Sequence, residues 1–109
     1  MPWLLRDGEV LAPLEVASTV GARTRGLLGR DGIEGALLLR PATSVHTLGM
    51  RFPIDVAHCD RDLVVLDVVR GMRPWRLGAP RRRCRAVVEA EAGSFERWRL
   101  AQGDRLEVT

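Results

Sequence analysis

Tight turns recur along this sequence at short intervals, and the apolar runs between them are too brief for long helices. In "WLLRDGEVLAP", Asp7-Gly8 separates two apolar runs, the pattern of a two-residue β-hairpin. Pro13 has no amide hydrogen to give a neighbouring strand, which confines the second run to a sheet edge or a bend. "GALLLR" (Gly35–Arg40) is a short apolar run bounded by turn residues and reads as a buried strand. "PIDVAHCD" alternates, with Ile54, Val56 and His58 on one side and Asp55, Ala57 and Cys59 on the other. Asp60–Asp62 then turns the chain into "LVVLDVVRGM", so these two runs predict a second hairpin. "CRAVVEAEAG" and "DRLEVT" supply further strands.

Helical signals are few. Ser18 is placed to cap a short helix whose Val20, Leu27 and Leu28 could share a face, with Gly29 or Gly32 ending it. A second short helix, "SFERWRLAQG", is opened by Ser94. About six or seven short strands and two short helices predict an α+β, mainly β fold, a small closed or partly open β-barrel with helices at its ends. At 109 residues the chain fits one domain, residues 1–109, large enough for a core without disulfide staples.

Composition narrows the function classes. An apolar fraction of 46% with 28% charged residues describes an ordinary soluble globular protein. The formal charge of +3 comes from 17 basic residues that are all arginine, which is more simply a coding bias than selection for a basic surface. Fourteen acidic residues are spread along the same chain and offer most arginines a local partner. Cys59 and Cys84 are the only cysteines, so nothing resembles a disulfide framework. The first apolar run ends at Arg6 and Asp7, too early for a secretory segment, and no run approaches the ~18 apolar residues of a membrane span. A cytoplasmic protein with two free thiols and no membrane partner is the expectation.

Three kinds of chemistry fail on spacing. His46, His58, Cys59 and Cys84 are ligand types, but adjacent His58 and Cys59 point to opposite faces of a strand and cannot share an ion. No metal and no cofactor is therefore expected. Ser44, His46 and Asp55 hold the letters of a catalytic triad without the G-x-S-x-G turn that would present the serine. "GLLGRDG" lacks the lysine and spacing of a phosphate loop. Whether the chain is an enzyme stays open, because no complete catalytic set can be named.

Two segments keep a binding reading. Arg81–Arg85 ("RRRCR"), with Arg73, Trp75 and Arg76 upstream, could meet phosphates and bases. A solvated loop in an arginine-biased chain is the weightier reading of it, which makes nucleic acid the lesser alternative. The other segment is "SVHTLGMRFPIDV", where Gly49 permits a sharp turn and Pro53 fixes entry into the next strand. A loop turning there would carry His46, Thr47, Met50, Arg51 and Asp55 to a barrel mouth, with Arg73 and Trp75 as the opposing lip. Such a mouth suits a small polar or anionic ligand. Equally, Asp55 could cap loop amides and His46 could donate to a carbonyl, leaving a structural or protein-interaction module.

Five segments together resemble a known family. "RGLLGR" (Arg25–Arg30), "GALLL", "VHTLGMRFPIDV" (Val45–Val56), "VVEAEAG" (Val87–Gly93) and "GDRLEV" (Gly103–Val108) follow the order seen in the domain of unknown function 192 family. The resemblance covers nearly all of the chain from Arg25 onward and implies a compact β-rich fold. It also implies export or envelope association for many relatives, a property that does not carry over to this chain's first residues. Where His46-Thr47-Leu48-Gly49-Met50 stands here, many relatives have Trp-Met-x-Asn-Thr, so a ligand could differ between branches. The family's Glu-Leu-Pro-Ala-Gly is "EAEAG", with Glu91 in the proline's place.

Overall fold

In the computed structural model, which describes residues 2–109, Asp7 and Gly8 take positive φ (51° and 78°) and turn β1 (Trp3–Arg6) back onto β2 (Glu9–Ala17). Pro13 lies inside this sheet, not at an edge or a bend. The Leu14 amide donates to Pro2, so the proline nitrogen faces the other side, where the ladder with the next strand begins only at Leu14 and no donor is needed. Beyond Pro13 the strand changes partner, and Leu14–Ala17 run parallel to β3 (Ala36–Leu39). Parallel neighbours need a crossover, which here comprises α1 (Val20–Arg25) and the loop after it. Thr19, not Ser18, caps that helix, its Oγ1 accepting from the Ala22 amide at 3.1 Å. The helix also ends earlier than expected, at Gly26, which leaves Leu27 buried in the loop and Leu28 exposed.

β4 (Ile54–Cys59) and β5 (Val65–Met72) form the second hairpin, and β6 (Ala86–Glu91), α2 (Ser94–Trp98) and β7 (Leu106–Val108) complete the chain. The seven strands make one sheet in the order β5-β4-β6-β3-β2-β1-β7. Its two edges meet at one corner only, where Val64 bridges Arg105 and the Val65 amide donates to Asp104 at 2.8 Å. The sheet is thus a partly open barrel, curled but not closed.

Both faces of this sheet are covered. On one face Leu4, Leu14, Leu38, Val88 and Leu106 pack around Phe95 of α2. On the other, Leu37, Ile54, Val56 and Val87 lie under Leu27 from one loop and Met50 and Phe52 from another. β4 is consequently buried at every position, and β6 at all but Glu91. Polar side chains on these strands are enclosed whichever way they point. Cys59 and Cys84 fall in different clusters, both free and buried, and burial pushes the Cys59 thiol up to about 12. No described helix is long and apolar enough to cross a membrane.

Candidate functional site

The segment from Ser44 to Met50 is shaped by Thr47. Its hydroxyl donates to the Arg73 carbonyl at 2.6 Å and accepts from the Arg76 amide at 2.9 Å. Its own amide donates to Arg76, while its carbonyl accepts from Trp75 and Met50. Thr47 is therefore a buried staple between this segment and the β5–β6 loop, fully enclosed and not among the residues lining the cavity beside this segment. Gly49 follows at φ +77°, where a Cβ would stand 2.5 Å from Leu28 Cδ1. Close approach at this glycine lets the 44–50 segment lie against the loop that ends α1.

Between those two segments is a cavity of about 70 Å³, walled by Arg23–Leu28 on one side and by Ser44, Val45, His46, Leu48 and Met50 on the other. That is roughly the volume of two molecules of liquid water. The sheet supplies its floor through Leu39 and Glu89. Glu89 lies on β6 between Leu37 of β3 and Val56 of β4, on the face that carries the second apolar cluster. Only 3% of it is exposed, and its carboxyl makes no hydrogen bond or ion pair with a described residue. Burial alone pushes its pKa up to about 7.

Of the residues expected at a ligand mouth, the structure brings His46 and Met50 to this cavity and leaves the others elsewhere. Arg51 is exposed and pairs with Asp31 at 3.0 Å. Arg73 and Trp75 are exposed on the far side of Thr47, so the lip opposite His46 is Arg23–Leu28 instead. Asp55 occupies the other face of the sheet, 1% exposed, and does not converge with His46. Its Oδ1 accepts from the Gly71 amide at 2.9 Å, and its Oδ2 from the Gly93 and Phe95 amides at 3.0 Å. The carboxylate thereby caps α2, the role expected of Ser94, which is instead the first helical residue behind Gly93. Sequence reasoning missed Glu89 and the Arg23–Leu28 wall. The available signal was an acid in "AVVEAE" at the same side of the strand as Val87.

A second polar group is structural in character. Buried His58 shares a 2.7 Å hydrogen bond between Nδ1 and Asp67 Oδ1, and Asp67 Oδ2 accepts from Arg81 Nε at 3.0 Å. Burial pushes the His58 pKa down, and Asp67 only partly offsets this. Arg81 is thus half-buried and paired, a correction to a wholly solvated Arg81–Arg85 loop, whereas Arg82 and Arg83 are exposed. Changing Arg82 and Arg83 to Gln should alter stability by no more than about 0.5 kcal/mol. Arg81→Gln should cost about 1 kcal/mol, reduced by its partial exposure. Urea denaturation of the three variants checks this; equal effects at Arg81 and Arg83 would refute the pairing.

The sequence profile of the domain of unknown function 192 family, described as an uncharacterized ACR, matches residues 4–108. A UPF0127 protein of Pyrococcus furiosus is 39% identical over 64 residues, which are 59% of this chain and 54% of that protein, little more than half its length. Two crystal structures share the fold. One, a protein of unknown function from Novosphingobium aromaticivorans, superposes with a TM-score of 0.82 at 19% identity over 97% of this chain and 82% of its own. The other, described as a candidate transcription regulator from Sinorhizobium meliloti, gives a TM-score of 0.84 at 21% identity over 98% and 91% of the two chains.

Proposed function

This chain belongs to the domain of unknown function 192 family, and we propose that it binds a small polar ligand in the cavity between Arg23–Leu28 and Ser44–Met50. One observation carries the reading: two of the segments on which the family resemblance rests, Arg25–Arg30 and Val45–Val56, meet there, over a buried acid that takes no hydrogen bond from a described residue. Leu28, Leu48 and Met50 offer an apolar wall, and Arg25 with His46 offers charge and hydrogen bonds at the mouth to any anionic group of the ligand. Two free buried thiols are the ground on which we place the protein in the cytoplasm.

A metabolite screen by ligand-observed NMR, repeated on His46→Ala, tests this. A hit should lose at least about tenfold in affinity in the variant, equivalent to ~1.4 kcal/mol. Hits indifferent to His46→Ala, with no amide shifts in residues 44–50, would sink the reading. The nucleic-acid alternative draws on exposed Arg82, Arg83, Arg85 and Trp75 and on the description of the Sinorhizobium meliloti neighbour. It requires oligonucleotide binding that weakens steeply with salt.

A further inference from the structure

We propose that Glu89 is the anchor of this cavity, and that it selects small ligands which enter with a compact N–H cation first, an amine or an amidinium. The inference rests on the cavity being a ligand site and names what that site takes. Glu89 takes no hydrogen bond from a described residue, and its carboxyl lines the cavity, so its oxygens are left to whatever enters there. The one fully enclosed side-chain polar atom without a partner among the described residues is Nε2 of His58, on the same face of the sheet. Glu89 stands at the floor of a cavity wide enough for a compact head group, with apolar neighbours across both strand pairings. An ionised carboxylate only accepts hydrogen bonds, so it is complementary to N–H donors and repels an anion. A cationic donor adds charge to the hydrogen bond, which makes the pairing stronger still.

The other charged groups around Glu89 do not already fill this role. Arg23 and Arg25 come from α1, His46 from the 44–50 segment, and His58 from the same face of β4, while β3 contributes only Leu37 and Leu39. The Arg23 guanidinium is turned to the Pro41 carbonyl at 2.8 Å. Neither Arg25 nor His46 makes a hydrogen bond or ion pair with Glu89, and burial pushes its pKa up to about 7. The free carboxyl therefore keeps its proton up to about pH 7. A cation entering the cavity displaces that proton to solvent, and one neutral acid becomes one carboxylate paired with one cation. No other bond changes.

Acetamidinium is a suitable probe, with acetate and acetamide as anionic and neutral counterparts of similar size. In titrations followed by amide shifts, acetamidinium should perturb Met50, Val88 and Ala90. Its affinity should rise with pH, approaching tenfold per pH unit well below about 7 and levelling above it. Glu89→Gln should remove that pH dependence and weaken binding at least about tenfold at pH 8. Should the variant not fold, the carbon-13 titration of the wild-type Glu89 carboxyl serves instead, with its midpoint moving to lower pH at saturating acetamidinium. No acetamidinium binding, acetate binding as tightly, or indifference to Glu89→Gln would each overturn the inference. A His46-dependent metabolite that keeps its affinity in Glu89→Gln would overturn it too, while leaving the cavity as a ligand site.

Discussion

Asp55→Asn should destabilise the protein by about 3 kcal/mol or more, while His46→Ala should change stability by no more than about 0.5 kcal/mol. Asp55 is buried, and its two oxygens accept from three backbone amides drawn from β5, from the residue before α2 and from α2 itself. Asparagine keeps the shape but turns one acceptor into a donor, which then faces an N–H. Either Gly71 loses its acceptor, or Gly93 and Phe95 do, and the removed charge weakens the bonds that survive. Gly93 has no side chain with which to cap the helix in its place. His46, by contrast, is exposed and is joined to the fold chiefly by a backbone bridge to Leu77 that alanine preserves. Urea denaturation of both variants decides the matter. If His46→Ala is the more destabilising, the roles assigned to these two residues are wrong.

Glu89 should impose an unusual pH dependence on stability. In the folded protein its carboxyl is pushed up from 4.5 to about 7 by burial, so between those values the folded state holds a proton that the unfolded chain has released. Stability contributed by Glu89 is therefore full below about pH 4.5 and lost as pH rises to about 7, by roughly 3 kcal/mol in all. His58 acts in the opposite direction. Its pKa is lowered from 6.5, so the unfolded chain takes up a proton first and stability rises with pH towards 6.5. The two slopes partly cancel in the wild type, and the clean readout is the difference from Glu89→Gln. That variant should match the wild type near pH 4 and exceed it by up to about 3 kcal/mol near pH 8. Superimposable stability profiles from about pH 5 to 8 would show that Glu89 is ionised or solvated in the folded state.

Local chemistry explains why some of this was readable in the sequence. Alternation in "IDVAHC" assigned each β4 side chain to its face, because a strand's period of two leaves no other choice. Asp7-Gly8 announced its hairpin through positive φ at both positions. The parallel pairing of β2 with β3 was not readable, since it depends on where the α1 crossover returns the chain and not on either strand's own residues. The same holds for α2, whose cap comes from Asp55, 38 positions before Gly93. At the site, His46 is legible because it is polar in a turn-rich loop. Glu89 is not, because a strand flanked by valines and alanines reads as polar-out on one side, and only the second covered face of the sheet encloses it.

Thr47 gives the cavity an unexpected mechanical property. The hydroxyl, amide and carbonyl of that one buried residue are all joined to positions 73–76, so one wall of the cavity is tied by hydrogen bonds to the arginine-rich β5–β6 loop. That loop carries Trp75 and Leu77 outward, 66% and 76% exposed, like a handle on the outside of a door. Displacing that loop means breaking these bonds or carrying Thr47, and with it the adjoining cavity residues His46 and Leu48, along.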